Sequence, residues 1–358
     1  MRTKPEHRAR NAASPSPSAS DHRLTRTRKG VSAPLSRILV LLIVLSFHAS
    51  CTDKGIVTDA ERAAVHQYSR YTFDPASSLV SRITDAPDFV LSYLREMDSR
   101  EDYHSYKPDR RELRRIRQSL AALPPLTASV LRERLLGMYF IRNFMGGGLT
   151  DWVVDSSGGM YVFMVFNPES LRKSISSWLT YRENSCFKDD GSDTIITVSG
   201  GKRYSGFTYV LLHESTHAVD YVTHVTPYVE EGLRKTGHPR STPFIDGIWK
   251  ELRKPLERYD FPLRSSLTFY GLKDPAIPLS RAPELYRGLE QTPFASLYGS
   301  MSWAEDIAEF VFFHHLTRKL GQPYVIRVSR KGKLLYTRQP MNSPLLIERA
   351  ATIQHFYR

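Results

Sequence analysis

The amino-acid sequence predicts an α+β fold, and three observations predict it. Residues 52–145 carry helical periodicity with capping signals, residues 151–166 carry a hairpin pattern, and a β-branched stretch at 194–199 runs into a long apolar helix. Helices and strands thus come in blocks and not in regular βαβ alternation, which is the α+β pattern.

The chain begins with a segment unable to join that fold. Residues 1–37 are basic and rich in Ser, Pro and Ala, with PSPSAS at 15–20, so they bury too little apolar surface to fold and read as a disordered extension. ILVLLIVLSF follows at 38–47. Ten residues are too few to span a hydrocarbon layer of ~30 Å as a helix, but they suit a signal-peptide h-region behind an Arg-rich n-region. HASC then ends at Cys51, and its small-small-Cys ending resembles the bacterial lipobox, although His48 stands where an aliphatic residue is usual. The resemblance implies lipidation of Cys51 and a chain exported to the bacterial cell envelope, held to the membrane by that lipid. Without the lipid, the same signal delivers a periplasmic or secreted protein.

After Cys51 a mostly helical region is expected over 52–145. Thr58 and Glu61 form a capping box that opens a helix to about Tyr71, and further helices are predicted near Pro87 to Met97, Pro108 to Leu123 and Thr127 to Phe144. In PDRRELRRIRQSL (108–120), Leu113, Ile116 and Leu120 continue to Leu123 as an apolar stripe at helical spacing. The arginines are therefore the solvated face of an amphipathic helix, and no nucleic-acid partner is expected. Gly146 to Gly148 break the pattern and open the second region, 146–358. There DWVVD (151–155), SSGG and MYVFMVF (160–166) read as a β-hairpin, a helix runs from Pro168 to about Tyr181, and TIITVS (194–199) is a strand. An insertion at 226–291, rich in Pro, Arg and aromatics, is suited to wall a cleft. YVIRV (324–328), a turn at Gly332 and LLYTR (334–338) form another hairpin, and a closing helix runs from about Pro344 to Tyr357.

The chemistry lies in HESTH, His213 to His217. Phe207, Val210, Leu211, Ala218 and Val222 recur around it at helical spacing, with no Pro or Gly until Pro227. Side chains four apart on a helix share a face, so His213 and His217 can offer nitrogens to one Zn2+ while Glu214 stands beside a bound water as general base. Such a site needs a third protein ligand. A third His in H-E-x-x-H-x-x-G-x-x-H fails, because that position is Thr223, the Gly position is Asp220, and His224 is one residue off.

Two carboxylates remain open as third ligand. Glu231 lies in TPYVEEGLRK (226–235), which partly resembles the W-x-x-E-G element of aminopeptidase-type zinc enzymes, with Tyr228 in place of the Trp and Arg234 in place of a small residue. Glu305 lies in SWAEDIAEFVFF (302–313), where Glu309 shares its helix face and can bond a ligand histidine from behind. Ser302 and Glu305 also spell a capping box, so helix initiation competes for the Glu305 carboxylate. Asp220, three residues past His217, is placed to orient a neighbour or form a salt link. His314 and His315 read as packing or surface residues.

HESTHAVDYV together with YGSMSWAEDIAEF resembles the gluzincin metallopeptidases, in particular the catalytic core of anthrax lethal factor and zinc-binding metallopeptidases of bacteria. The resemblance covers two short blocks. It implies a thermolysin-like core, one Zn2+ per chain held by His213, His217 and Glu305, general base Glu214, Glu309 behind a ligand histidine, and Tyr298 stabilising the oxyanion. Tyr298 stands seven residues before Glu305, as in that core. It also implies a peptide or protein substrate that adds to an edge strand upstream of the motif helix. The link from Ala218 to Ala304 is much longer than in lethal factor.

Charge and cysteines set the remaining bounds. The net charge is +13, but residues 1–50 hold nine Lys or Arg against two acids, so about +6 remains for the rest. With Cys51 assigned to lipid, Cys186 has no partner, and the fold must rest on its core. The expected protein is an exported zinc metallopeptidase. The alternatives are a catalytically idle zinc-binding envelope lipoprotein and a zinc amidase acting on peptidoglycan peptides.

Overall fold

A computed structural model describes residues 63–230, 233 and 241–358. The basic extension, the signal-like run, Cys51, Thr58, Glu61 and Glu231 lie outside them. The chain divides after Gly55, and all described residues belong to the unit that starts at Ile56. They form a mixed α+β structure.

The first described stretch is not the expected helix. Single 3-10 turns at Ala64–His66, Tyr68–Arg70 and Leu79–Arg82 carry it. Aromatic packing overrides helix propensity here: Tyr71 sits against Phe89 and Phe163, Tyr68 sits against Tyr161, and Gln67 forms a parallel bridge with Val154. Next come α1 (Asp88–Asp98), β1 (His104–Ser105) and α2 (Arg110–Leu120). A reciprocal capping box starts α2: Glu112 N–H donates to Asp109 at 2.8 Å and Asp109 N–H donates to Glu112 at 2.9 Å. Ile116 is buried while Arg110, Arg111, Arg114 and Arg117 face solvent, as the stripe predicts.

The helix expected to run to Phe144 stops early. α3 (Pro125–Arg134) passes directly into β2 (Leu135–Arg142), which is buried at every position but its last. An element buried on all sides has no period in its sequence, so LLGMYFI looks alike as helix or strand, and sheet pairing decides. β3 (Gly148–Val154) and β4 (Met160–Phe166) form the expected antiparallel hairpin, and β2 joins β4 in parallel. The sheet order is β1-β2-β4-β3, which leaves β3 at an edge.

The single helix expected after Pro168 is two, α4 (Glu169–Arg172) and α5 (Ile175–Asn184), because Ser174 caps a fresh start by accepting from Ser177 N–H at 3.1 Å. β5 (Phe187–Lys188), β6 (Thr194–Ser199) and α6 (Gly206–Thr223) follow. The described part of the insertion contributes β7 (Trp249–Glu251), β8 (Lys254–Pro255), β9 (Ile277–Pro278) and α7 (Ala282–Glu290). α8 (Trp303–His314) ends in a π turn, and β10 (Val325–Arg330) and β11 (Lys333–Arg338) complete a three-stranded sheet ordered β11-β10-β6. Their two-residue turn places Lys331 and Gly332 at φ of 49° and 76°, the left-handed pair that such hairpins require. The closing helix is shorter than expected: α9 (Pro344–Arg349) tightens into a 3-10 stretch over Ala350–Tyr357.

α6 is the centre of the molecule. It packs against β3 and β4 on one side and against α2, α3, α5 and α8 on others, so its sequence is apolar nearly all round. No helix among the described residues is long and apolar enough to cross a membrane.

Candidate metal centre

α6 can start where it does only because Gly206 lacks a side chain: a Cβ there would lie 2.7 Å from Trp178 Cβ on α5. Two turns later the helix presents His213 and, one turn on, His217, with their Nε2 atoms 3.2 Å apart. The first turn of α8 brings Glu305, whose Oε2 is 3.1 Å from His213 Nε2 and 3.9 Å from His217 Nε2. Ser302 Oγ accepts from the Glu305 N–H at 3.2 Å, so the hydroxyl caps α8 while the Glu305 carboxylate lies against the histidines. One ligand atom from each of the three residues falls within 4.8 Å of the others.

A buried network backs this triad. His213 Nδ1 is 3.1 Å from Glu309 Oε1, which also accepts from Tyr209 OH at 2.8 Å. Glu309 Oε2 accepts from Arg182 Nη1 at 2.6 Å and from Ser296 Oγ at 2.5 Å. Arg182 also donates to Glu183 at 2.7 Å, and Glu183 accepts from Tyr286 OH at 2.6 Å. Arg182, Glu183 and Glu309 are all 0% exposed. Burial opposes the charge on Glu309, but the Arg182 guanidinium and the bonds from His213 and Ser296 hold its carboxyl down at about 2.

This charge pattern fits a cation at the triad. Glu305 Oε2 is buried, stands 3.1 Å from a histidine nitrogen and still accepts no well-directed hydrogen bond from any described residue. Burial pushes His217 down to about 4, keeping it neutral. At His213 burial acts the same way, yet the Glu305 and Glu309 carboxylates more than offset it and push the group up to about 10. The surroundings therefore favour positive charge at the point where three ligand atoms meet. Among the described residues one guanidinium faces both Glu309 and Glu183, so a cation bound at the triad would add to the positive charge that faces Glu305. Two imidazoles and a carboxylate are also a donor set suited to zinc.

Glu214 is tied to β3. Its Oε2 accepts from Thr150 Oγ1 at 2.9 Å, and the same hydroxyl lies 2.8 Å from the Glu214 carbonyl. Burial is the main reason its carboxyl is raised to about 7. Beside it, β3 comes so close that only glycine fits at 148, where a Cβ would sit 2.8 Å from Glu214 Cγ. Gly148→Ala should therefore displace the carboxylate and cut any activity that uses it by about tenfold or more, since about an ångström of misplacement can cost 10²-fold. Zinc content should not change. Equal activity in the variant would show that Glu214 is not held where it must act.

The structure also places the other residues singled out from sequence. Tyr298 lies with its ring centroid 5.6 Å from that of His213 and with Arg182 5.5 Å from its own centroid. Burial raises its hydroxyl well above the usual range, so it remains a proton donor. Asp220 does not reach the histidines: its carboxylate accepts from Thr226 N–H at 2.6 Å and from Thr226 Oγ1 at 2.5 Å, fastening the chain that leaves α6. His315 Nε2 bonds the Ala122 carbonyl at 2.7 Å, and His314 bonds Tyr357, so both serve packing. A cavity of about 160 Å3 opens beside His213, Glu214 and Tyr298, lined by Met97, Phe144, Met145, Leu149, Val210 and Leu272. Leu272 and Tyr270 come from the insertion, which does wall this side.

Sequence reading missed Arg182, Tyr209, Ser296, Thr150 and Gly148. Only the Gly146 to Gly148 run carries a visible signal, as a break between two regions. No protein-family model, curated protein or solved structure matches the chain.

Proposed function

We propose that the protein is a zinc-dependent metallopeptidase of gluzincin type, exported and lipid-anchored through Cys51. One observation carries the reading: His213 Nε2, His217 Nε2 and Glu305 Oε2 converge on one point while Glu309 ties the far side of His213. With Nδ1–H committed to Glu309, the Nε2 lone pair is left for a metal.

Bound there, zinc would supply a Lewis acid that polarises a carbonyl and acidifies a water. The chain's own residues divide the remaining work. Glu214 takes a proton from the attacking water and delivers it to the leaving nitrogen, a task suited to a carboxyl raised to about 7. Tyr298, kept protonated by burial, donates toward the developing oxyanion. β3 is an edge strand, so an extended peptide can pair along it beside Glu214. The cavity at its Gly148 end matches in size one that holds a benzene ring, about 150 Å3, and would take a large apolar side chain next to the scissile bond.

Metal analysis of the purified chain tests this reading. About one zinc per chain is expected, lost in Glu305→Ala and retained in Glu231→Ala. No zinc in the wild type sinks the proposal, and loss in Glu231→Ala alone moves the third ligand to that residue.

A further inference from the structure

The lane along β3 is short, and its length bears on the substrate. Asn167 N–H donates to the Gly147 carbonyl at 2.9 Å and Asp155 N–H donates to the Gly159 carbonyl at 3.0 Å. In an antiparallel pair this phase turns the backbone groups of the odd-numbered residues toward β4 and those of Gly148, Thr150, Trp152 and Val154 outward. Those outward groups are what an added strand would use. At Val154 the place is taken, because Gln67 bridges it in parallel. At Trp152 the outward N–H is bonded to the Asp151 carboxylate at 2.8 Å. The His66 imidazole also stacks on the Trp152 indole, with centroids 3.8 Å apart and planes at 14°. Asp151 accepts from Tyr93 OH at 2.8 Å and lies 3.4 Å from His66 Nε2, which pins this plug to the sheet.

Among the described residues, no strand pairs the outward groups of Gly148 and Thr150 or the Trp152 carbonyl, and these make up the lane. An antiparallel peptide, the more stable pairing, would run from Trp152 toward Gly148 and pass Glu214 at Thr150. Its N-terminal side would then meet His66 and Gln67 after about two residues, or roughly 7 Å at 3.4 Å per residue. The plugged end also carries carboxyl groups: Asp151, and near it Glu230, which accepts from Tyr221 OH at 2.6 Å and whose carboxyl is raised by burial. A peptide α-ammonium suits such a place better than a continuing chain.

From the edge of β3 stopped by Gln67 and His66, we infer that the cleft takes the free N-terminal end of a peptide and that cleavage falls within about two residues of it. This rests on the peptidase reading above and narrows it to an exopeptidase. The test is product mapping by mass spectrometry with the zinc-loaded full chain, on unstructured linear peptides and head-to-tail cyclic versions of the same sequences. Cuts confined to the first two bonds of the linear peptides, with cyclic ones intact, are expected. In His66→Ala, which removes the stacked ring, cuts should spread inward. Interior cuts by the wild type, or cleavage of cyclic peptides, would overturn the inference while leaving the peptidase reading intact. If nothing is cut, that reading fails, and anisotropy of labelled peptides on the Glu214→Gln chain decides the inference instead. Linear peptides should bind at least tenfold tighter than cyclic ones, and equal or absent binding overturns it.

Discussion

Glu214→Gln is expected to keep its zinc and lose about 10²–10⁴-fold in peptide hydrolysis, the usual contribution of a general acid-base group. The glutamine has the same shape, and its amide oxygen can still accept from Thr150 Oγ1, now 2.9 Å from Glu214 Oε2. The packing around position 214 and the three proposed ligands His213, His217 and Glu305 are untouched by the change. What disappears is the ability to accept a proton. Activity and metal content measured on the same preparation separate the roles. Undiminished turnover with zinc bound would remove Glu214 from the mechanism, and simultaneous loss of zinc would show that the residue supports the metal and not the proton transfer.

The second large effect is one of stability. Arg182→Met leaves Glu309 and Glu183, both 0% exposed, without their shared cation. Breaking a buried ion pair by removing one partner costs about 3–5 kcal/mol, because the remaining charge stays desolvated. Urea denaturation of the metal-free protein should register that loss. Tyr209→Phe, which removes one neutral donor to Glu309, should cost about 1 kcal/mol. If the two variants proved equally stable, the network would be a weaker support than its geometry suggests. Zinc affinity should fall in both variants, by about 10–100-fold where the partner of a ligand histidine is disturbed.

How much of this was legible in the sequence follows from what patterns encode. The motif helix was legible because HESTH is local: five consecutive residues fix the relation of His213 to His217 whatever surrounds them. Glu305 and Glu309 were legible as a pair for the same reason, one turn apart on one helix, but their meeting with His213 is tertiary, so spacing left Glu231 open beside Glu305 and only a resemblance favoured Glu305. Arg182 was not legible. Its neighbour Tyr181 is exposed, its other neighbour Glu183 is a second charged residue, and arginine is ordinarily a surface residue, so nothing local announces a fully buried guanidinium. In the fold, amphipathic α2 and the β3–β4 hairpin were readable, while β2, buried on both faces, has no period that separates it from the end of a helix. The 3-10 turns at 64–70 were set by aromatic contacts with the sheet, which no local propensity reports.

The long separation within the site has a kinetic consequence. Arg182 and Glu309 meet across 127 residues, and Glu305 enters only after residues 218–304 have been laid down. Loop closure over such spans is slow and must precede the contacts that reward it. The two histidines alone form a two-coordinate, weak trap on a nascent helix. On the zinc reading proposed above, a tight metal seat would come into being late, when α5, α6 and α8 have docked, and loading would follow folding instead of driving it. The folded, metal-free chain would then be a distinct species with its own lifetime, open to whichever divalent ion it met first.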